Sequence, residues 1–527
     1  MRHILLTAIC ACSLFAQTPV PVPTYHNNNS RTGLNNGETT LTWNNVNVNS
    51  FRLLFTYPVD AQVYAQPLYV PGLNINGVTH NVVFAATENN SVYAFDADSN
   101  AGANGGLLWH VSFNVGPAGV TVTPVASSDI GCSDISPIYG ITGTPVIDIA
   151  SQTLYVVAKT KEVSQSGVTY AQRLHALSLT DGQEKFGGPG GIQGSVPGAC
   201  GNADGHGNII VDPLLQNQRA GLLLSSGTLY VAFASHCDIN PYNGWMLAYS
   251  PTTLQQTGIL STSPDGTNRD CRGGIWQAGA GPATDAAGNI YFLTGNGTFN
   301  AANGGHSYGD SFVKLNPAPA LTVNDYFTPV NQSNMDSADL DLGAGGALVL
   351  PDQTGPNPHL VVGTGKTGTI YLVNRDNMGK SGIGGAVQQI PGAVGSRFEP
   401  FPMPAYVNQA VYFAGANDNV KGFQLNNGKL TPRPFATSAQ GVGFEGAGLS
   451  TSSDPSGNNA IVWALDGNGS PAIVHAYKAT DLTELYNSNQ AGTRDNPGPG
   501  VKFSVPTVSG GKVYVGTANT LAVYGNF

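Results

Sequence analysis

Three short patterns in this chain imitate catalytic motifs, and each lacks the element it needs. Gly305-His306-Ser307-Tyr308-Gly309 spells the G-x-S-x-G nucleophile pattern, which works where a strand turns sharply into a helix beneath the serine. Here it lies in a Gly- and Asn-rich loop between strand-like runs. Gly363-Thr364-Gly365-Lys366-Thr367-Gly368 resembles a phosphate loop, but Leu360 stands where the first glycine belongs. The strand-like TIYLV follows it instead of a helix N-terminus, which also excludes a dinucleotide fingerprint. Asp96-Ala97-Asp98-Ser99-Asn100 alternates calcium-type ligands, yet its glycine comes one place late and no bidentate Glu follows, so it reads as a turn. A fourth stretch, 273–379, strings together GGIWQAGAGPATD, IYFLTGNGTFN, GDSFVKLNP, MDSADLDLG and LVVGTGKTGTIYLVNRDNMG. In order it offers a large π face, an amide, several carboxylates and a lysine. These are the groups that hold a flat ligand and a hard cation and accept a proton.

The elements that must position these groups repeat along the chain. QPLYVPGL, VVFAAT, SVYAFDA and LLWHVSF form a first copy, and seven more follow, from TGTPVID/LYVVAKT/RLHALSL to FSVPTVS/KVYVGTA/LAVYGNF. The runs are short, rich in Val, Tyr, Phe, Leu and Ile, and bounded by Gly, Asn, Asp or Pro, which is how strands read. Units of roughly four strands repeated radially make a propeller, because each twisted sheet buries its faces against its neighbours. The last copy stops at Phe527 with three strands, while FRLLFTYPV (51–59) stands unused before the first. The spacing predicts an all-β, eight-bladed propeller over 51–527, in which this N-terminal strand completes the eighth blade and covers an open edge.

Composition narrows the function classes. Gly is 68 of 527 residues and only 10% are charged, which suits many tight turns and little charged helix surface. The net charge is −10 and Lys and Arg do not cluster, which argues against nucleic acid or an anionic membrane as partner. MRHILLTAICACSLFAQ has a short basic start, an apolar core and a small residue at Ala16, so residues 1–16 read as a secretory signal and the protein as periplasmic or extracellular. The competing lipoprotein reading of Ile9-Cys10-Ala11-Cys12 has a very short apolar core before it. No later stretch is long enough for a transmembrane helix. Residues 17–50 form a Pro- and Asn-rich, irregular lead-in. Cys132, Cys200, Cys237 and Cys271 remain after the signal, an even number that predicts two disulfides with three connectivities open. None pairs at zinc-finger spacing.

The stretch 273–379 resembles the quinoprotein alcohol dehydrogenases, propellers that hold pyrroloquinoline quinone and a metal ion on the ring axis. The strand phrasing is similar over most of the chain; the match of individual residues is confined to this stretch. The resemblance implies that Trp276, after Gly273 and Gly274, is the surface on which the quinone lies. It implies that Asn296 is an amide ligand of the metal, that Asp339 is the catalytic base and a ligand, and that Asp341 is the extra carboxylate of the lanthanide-using members. Lys366 takes the place of the basic residue near the reactive quinone carbonyl. Departures accompany these matches. Ala338 replaces an aromatic residue, and GCSDISP offers only Cys132 where the family has adjacent cysteines. The first metal ligand, a Glu in the family, has Asp238 as its nearest counterpart here and Glu162 as a poorer one.

Taken singly, Trp276 would pack between blades and Asn296, Asp336, Asp339 and Asp341 would serve turns and surface. Their joint order points to an exported dehydrogenase that oxidises an alcohol or sugar with pyrroloquinoline quinone and calcium or a lanthanide. Without a C-x-x-C-H haem sequence, its electrons would pass to a separate acceptor protein. The alternative is a cofactor-free propeller whose axial mouth binds a protein or glycan. A hydrolase built on Ser307 or on an acidic pair is a third reading.

Overall fold

The computed structural model describes residues 18–266, 271–382, 384–395, 401 and 403–527. The predicted signal, 1–16, lies outside them. Each repeat forms one antiparallel sheet, and eight such sheets close into a ring. We number these blades 1 to 8 in chain order, from the sheet that begins at Leu68–Ile75 to the one that begins at Thr507–Ser509. Closure follows the expected route. Phe51–Pro58 pairs antiparallel with Thr520–Asn526 and supplies the outermost strand of blade 8.

The inner and middle strands are buried on both faces, as in Trp245–Tyr249 and Ala410–Ala414, because each sheet lies between two others. A separate apolar cluster fills each of the eight seams between blades. The seam of blades 7 and 8, for example, packs Phe51 against Trp463, Tyr486 and Tyr524 with ring centroids 5.0 to 6.1 Å apart. Polar ties recur at the rims. Tyr155 donates to Pro251 O (3.0 Å), Tyr412 to Ala479 O (2.6 Å) and Trp109 Nε1 to Leu179 O (2.8 Å), each reaching the next blade.

Several histidines have structural partners of the same kind. His175 pairs with Glu184 and His475 with Glu484, in each case from the third strand to the residue nine positions on. Two disulfides tie the second and third repeats and their loops: Cys132–Cys237 and Cys200–Cys271. Ser307 is fully buried and its Oγ accepts the Asp265 N–H at 3.1 Å, a packing role that leaves the hydroxyl no path to a substrate. Asp96 and Asp98 are engaged by His80, Asn81 and Lys512 around their turn.

Candidate functional site at the ring axis

Loops that lead into the innermost strand and loops that follow the second strand bring residues far apart in sequence together here. Trp276 and Gly274 precede Ala283–Thr284 of blade 4, and Asn296 follows the next strand, Ile290–Leu293. Asp339 and Asp341 precede Leu348–Val349 of blade 5, and Lys366 follows Leu360–Thr364. Asp238 follows Thr228–Ser235 of blade 3.

Five of these residues form one hydrogen-bonded and packed group. Lys366 Nζ lies 2.7 Å from Asp341 Oδ2 and 3.1 Å from Asp339 Oδ2. Asp341 Oδ1 accepts the Asn296 N–H at 2.8 Å, and Asn296 Nδ2 donates to Asp339 Oδ1 at 2.7 Å. Glycine is required where these groups crowd the backbone. A Cβ on Gly295 would stand 2.3 Å from Asp341 Oδ1 and 2.9 Å from the Trp276 ring, and one on Gly274 would stand 2.7 Å from Trp276 Nε1. Burial alone would lower Lys366, but the Asp341 and Asp339 carboxylates outweigh it and hold the ammonium above its usual range. The two carboxylates differ in setting. Asp341 is buried with its side chain 6% exposed, whereas Asp339 stands at the rim with 66% exposed.

Asp238 and Trp276 join Asp341 and Lys366 in the wall of a cavity of about 160 Å³. Asp238 Oδ1 accepts the Tyr242 hydroxyl at 2.5 Å. Burial, and after it the Asp341 carboxylate, push Asp238 up to about 6. Asp310, whose Oδ1 accepts the Leu342 N–H at 3.0 Å, is raised for the same two reasons. Excess negative charge of this kind is what an added cation relieves. Asn296 Oδ1 is buried without a hydrogen-bond partner, so a hard oxygen donor is free at the same place. The donor set therefore fits a calcium-like or lanthanide ion. The ring of Trp276, whose Nε1 is buried and unpartnered, fits a flat ligand. Backbone strain also gathers here: Cys237, Asp238, Arg272, Gln277, Ala278, Asp310 and Asp339 all have φ between +47° and +56°.

Glu162 does not belong to the group, because it pairs with Arg173 across the blade 2 hairpin. Asp336 pairs with Arg272 at 2.9 Å. Several wall residues have no local sequence signal. Asp134, Arg219, Phe401, Glu445, Lys502 and Phe503 come from five different repeats and meet only because the ring closes. Arg219 is notable among them: it is buried, its guanidinium lies 4.6 Å from the Phe503 ring centroid, and its Nη1 lacks a partner. Cys237 lies in the same wall, so the Cys132–Cys237 bridge fastens the Asp238 turn to blade 2.

No family model matches the sequence, and no curated protein matches it. Solved structures match in fold. The quinohemoprotein alcohol dehydrogenase of Comamonas testosteroni aligns with a TM-score of 0.58 at 15% identity, over 96% of this chain and 80% of that one. The quinohemoprotein alcohol dehydrogenase ADHIIG of Pseudomonas putida HK5 gives 0.58 at 14% identity, over 96% and 80%. A europium-containing methanol dehydrogenase gives 0.59 at 12%, over 96% and 98%. The chain thus shares the propeller fold of these dehydrogenases.

Proposed function

We propose that the protein is an exported dehydrogenase that binds pyrroloquinoline quinone with calcium or a lanthanide at the ring axis and oxidises an alcohol or sugar. The observation that carries this reading is the buried, unpartnered Asn296 Oδ1 beside Asp341, in a group that also includes Trp276, Asp238, Asp339 and Lys366. Asp238, Asn296 and Asp341, with Asp339 at the rim, would hold the cation, and the additional carboxylate favours a higher charge on it. Trp276, lying over Gly274, would carry the flat face, and Arg219 would meet an anionic group of the ligand. When bound, the quinone supplies the electron acceptor and the cation supplies the charge that polarises it. The exposed carboxylate of Asp339 accepts the proton of the substrate hydroxyl, and the ammonium of Lys366 offsets negative charge beside it. Electrons would leave through a separate acceptor protein. Export is supported by the two disulfides, which persist in oxidising compartments. Among the described residues no helix is long and apolar enough to cross a membrane.

Titration of metal-stripped protein with pyrroloquinoline quinone, with and without calcium or lanthanum, tests the reading. Saturable, metal-dependent quenching that disappears in Trp276→Ala is expected, followed by dye reduction that Asp339→Ala abolishes while sparing the fold. Absence of binding under either metal would overturn it.

A further inference from the structure

The innermost strand of each propeller blade presents an edge of backbone N–H and C=O groups to the axial channel, and those groups need partners. In this chain the lead-in supplies them. Val22 exchanges two backbone hydrogen bonds with Tyr69 of blade 1, and Ile147 of blade 2 donates to Pro23 O at 2.7 Å. Asn29 Nδ2 donates to Leu224 O of blade 3, and Thr284 of blade 4 donates to Asn29 O. Val349, Tyr406 and Thr451 of blades 5, 6 and 7 donate to Ser30 O, Thr32 O and Gly33 O. Asn35 Nδ2 completes the circuit on Val508 O of blade 8. One segment, 22–35, thus bonds to the inner strand of all eight blades.

Arg31 fastens the segment. Its side chain is fully buried and donates Nε to Pro282 O (2.9 Å), Nη1 to Thr24 Oγ1 (2.7 Å) and Tyr25 O (2.9 Å), and Nη2 to Leu222 O (3.2 Å). It therefore ties two turns of the segment to blades 3 and 4 at once. Tyr25, stacked on His26 at 4.5 Å, faces a small void whose other walls include Ala278, Phe401, Glu445 and Phe503. Those four residues also line the axial cavity. Tyr25 is therefore the floor beneath it.

We propose that the mouth of the ring opposite the axial cavity is a peptide-binding site, and that residues 22–35 are its ligand, supplied in cis, with Arg31 as the anchor. The site recognises an extended peptide through backbone hydrogen bonds, in the manner of strand addition, and one buried guanidinium through a set of neutral oxygens. Its occupancy seals the channel, so that ligands reach the axial cavity from one side only. This inference does not depend on what the axial cavity binds.

The test uses the full chain with a protease cleavage sequence inserted at the exposed Asn49, between the strap and the closing strand. After cleavage the N-terminal fragment should stay with the ring on gel filtration. A fluorescein-labelled peptide of residues 18–38 should then exchange into the site, and the same peptide with Arg31→Ala should compete at least about tenfold less well, the loss expected for one buried charged anchor. In the uncut chain, hydrogen exchange at Ile147, Thr284, Val349, Tyr406 and Thr451 should rise together in Arg31→Ala, while amides between the middle strands stay protected. If that variant does not fold, the exchange assay on the cut wild-type chain still decides. Equal competition by the two peptides, immediate release of the fragment, or loosening confined to blades 3 and 4 would each overturn the proposal.

Discussion

Asn296 Nδ2 donates to Asp339 Oδ1 at 2.7 Å, while the carbonyl oxygen of the same amide is buried with no partner. An amide whose donor end is committed to a carboxylate holds its acceptor end in a fixed place, which is what a cation ligand requires. Asn296→Ala should therefore lower the affinity for calcium or lanthanum at least tenfold, about 1.4 kcal/mol, with the melting temperature of the metal-free protein little changed. Isothermal titration calorimetry reads this directly. An unaltered affinity would remove Asn296 from the ligand set.

Lys366 neutralises Asp341 in a setting where both side chains are nearly buried. Removing one partner of such a pair leaves the other charge without compensation, at a cost of about 3 kcal/mol. Lys366→Met should lower the melting temperature of the metal-free protein, and added calcium should restore most of the loss. A calcium-induced shift no larger than in the wild type would show that the ion does not share the space of the ammonium.

Glu88 makes the stability depend on pH. It is fully buried, and Oε2 accepts the Gly140 N–H at 2.7 Å. Burial pushes the carboxyl up from 4.5 to about 7, against the opposing pull of Gly140, Thr142 and Arg219. Between those two values the folded protein holds a proton that the unfolded chain releases, so the contribution of Glu88 to stability is fully present below 4.5 and is lost as pH rises through about 7. The loss is on the order of 3 kcal/mol. Glu88→Gln keeps the acceptor for Gly140 and should flatten this part of a denaturation series; a slope that survives the substitution would assign it to another group.

The Cys132–Cys237 bridge spans 105 residues and ends beside Asp238. Replacing both cysteines by serine should cost about 2 to 4 kcal/mol of stability through the unfolded chain. It should also weaken cation binding, because the strained turn at Cys237 and Asp238 loses its tether. The matched change at Cys200 and Cys271 should lower stability without that second effect. Melting curves and cation titrations on both double variants separate the two roles.

Phe51 closes the ring. It is fully buried against Trp463, Tyr486 and Tyr524, and Phe51→Ala should cost about 3 to 5 kcal/mol. Hydrogen exchange should show blade 8 opening first, because the strand that covers its edge is the one weakened. Uniform loosening of all blades would argue for a single cooperative ring.

Much of the architecture can be read from residue order. Eight copies of a strand phrase, with three strands left at Phe527 and one spare at 51–59, require a closed ring of eight, because only that arrangement pairs every edge. The candidate site is legible where its residues are neighbours in sequence, as with Asp339 and Asp341 or Gly274 and Trp276. Asp238 is legible only through the repeat, since its place after the second strand of blade 3 parallels that of Asn296 in blade 4.

Periodicity decided the fold, because strand pairing and face-to-face burial depend on local pattern and count. Arg219, Phe401, Glu445, Lys502 and Phe503 stand in no motif, and only closure of the ring brings them to Asp341 and Trp276. The tertiary structure likewise selected one of three disulfide connectivities, since distance between loop ends has no trace in spacing. It also turned a Pro- and Asn-rich lead-in into the segment that bonds to all eight blades. A chain without periodicity of its own carries no record of the edges it will meet, and those edges exist only once the ring has formed.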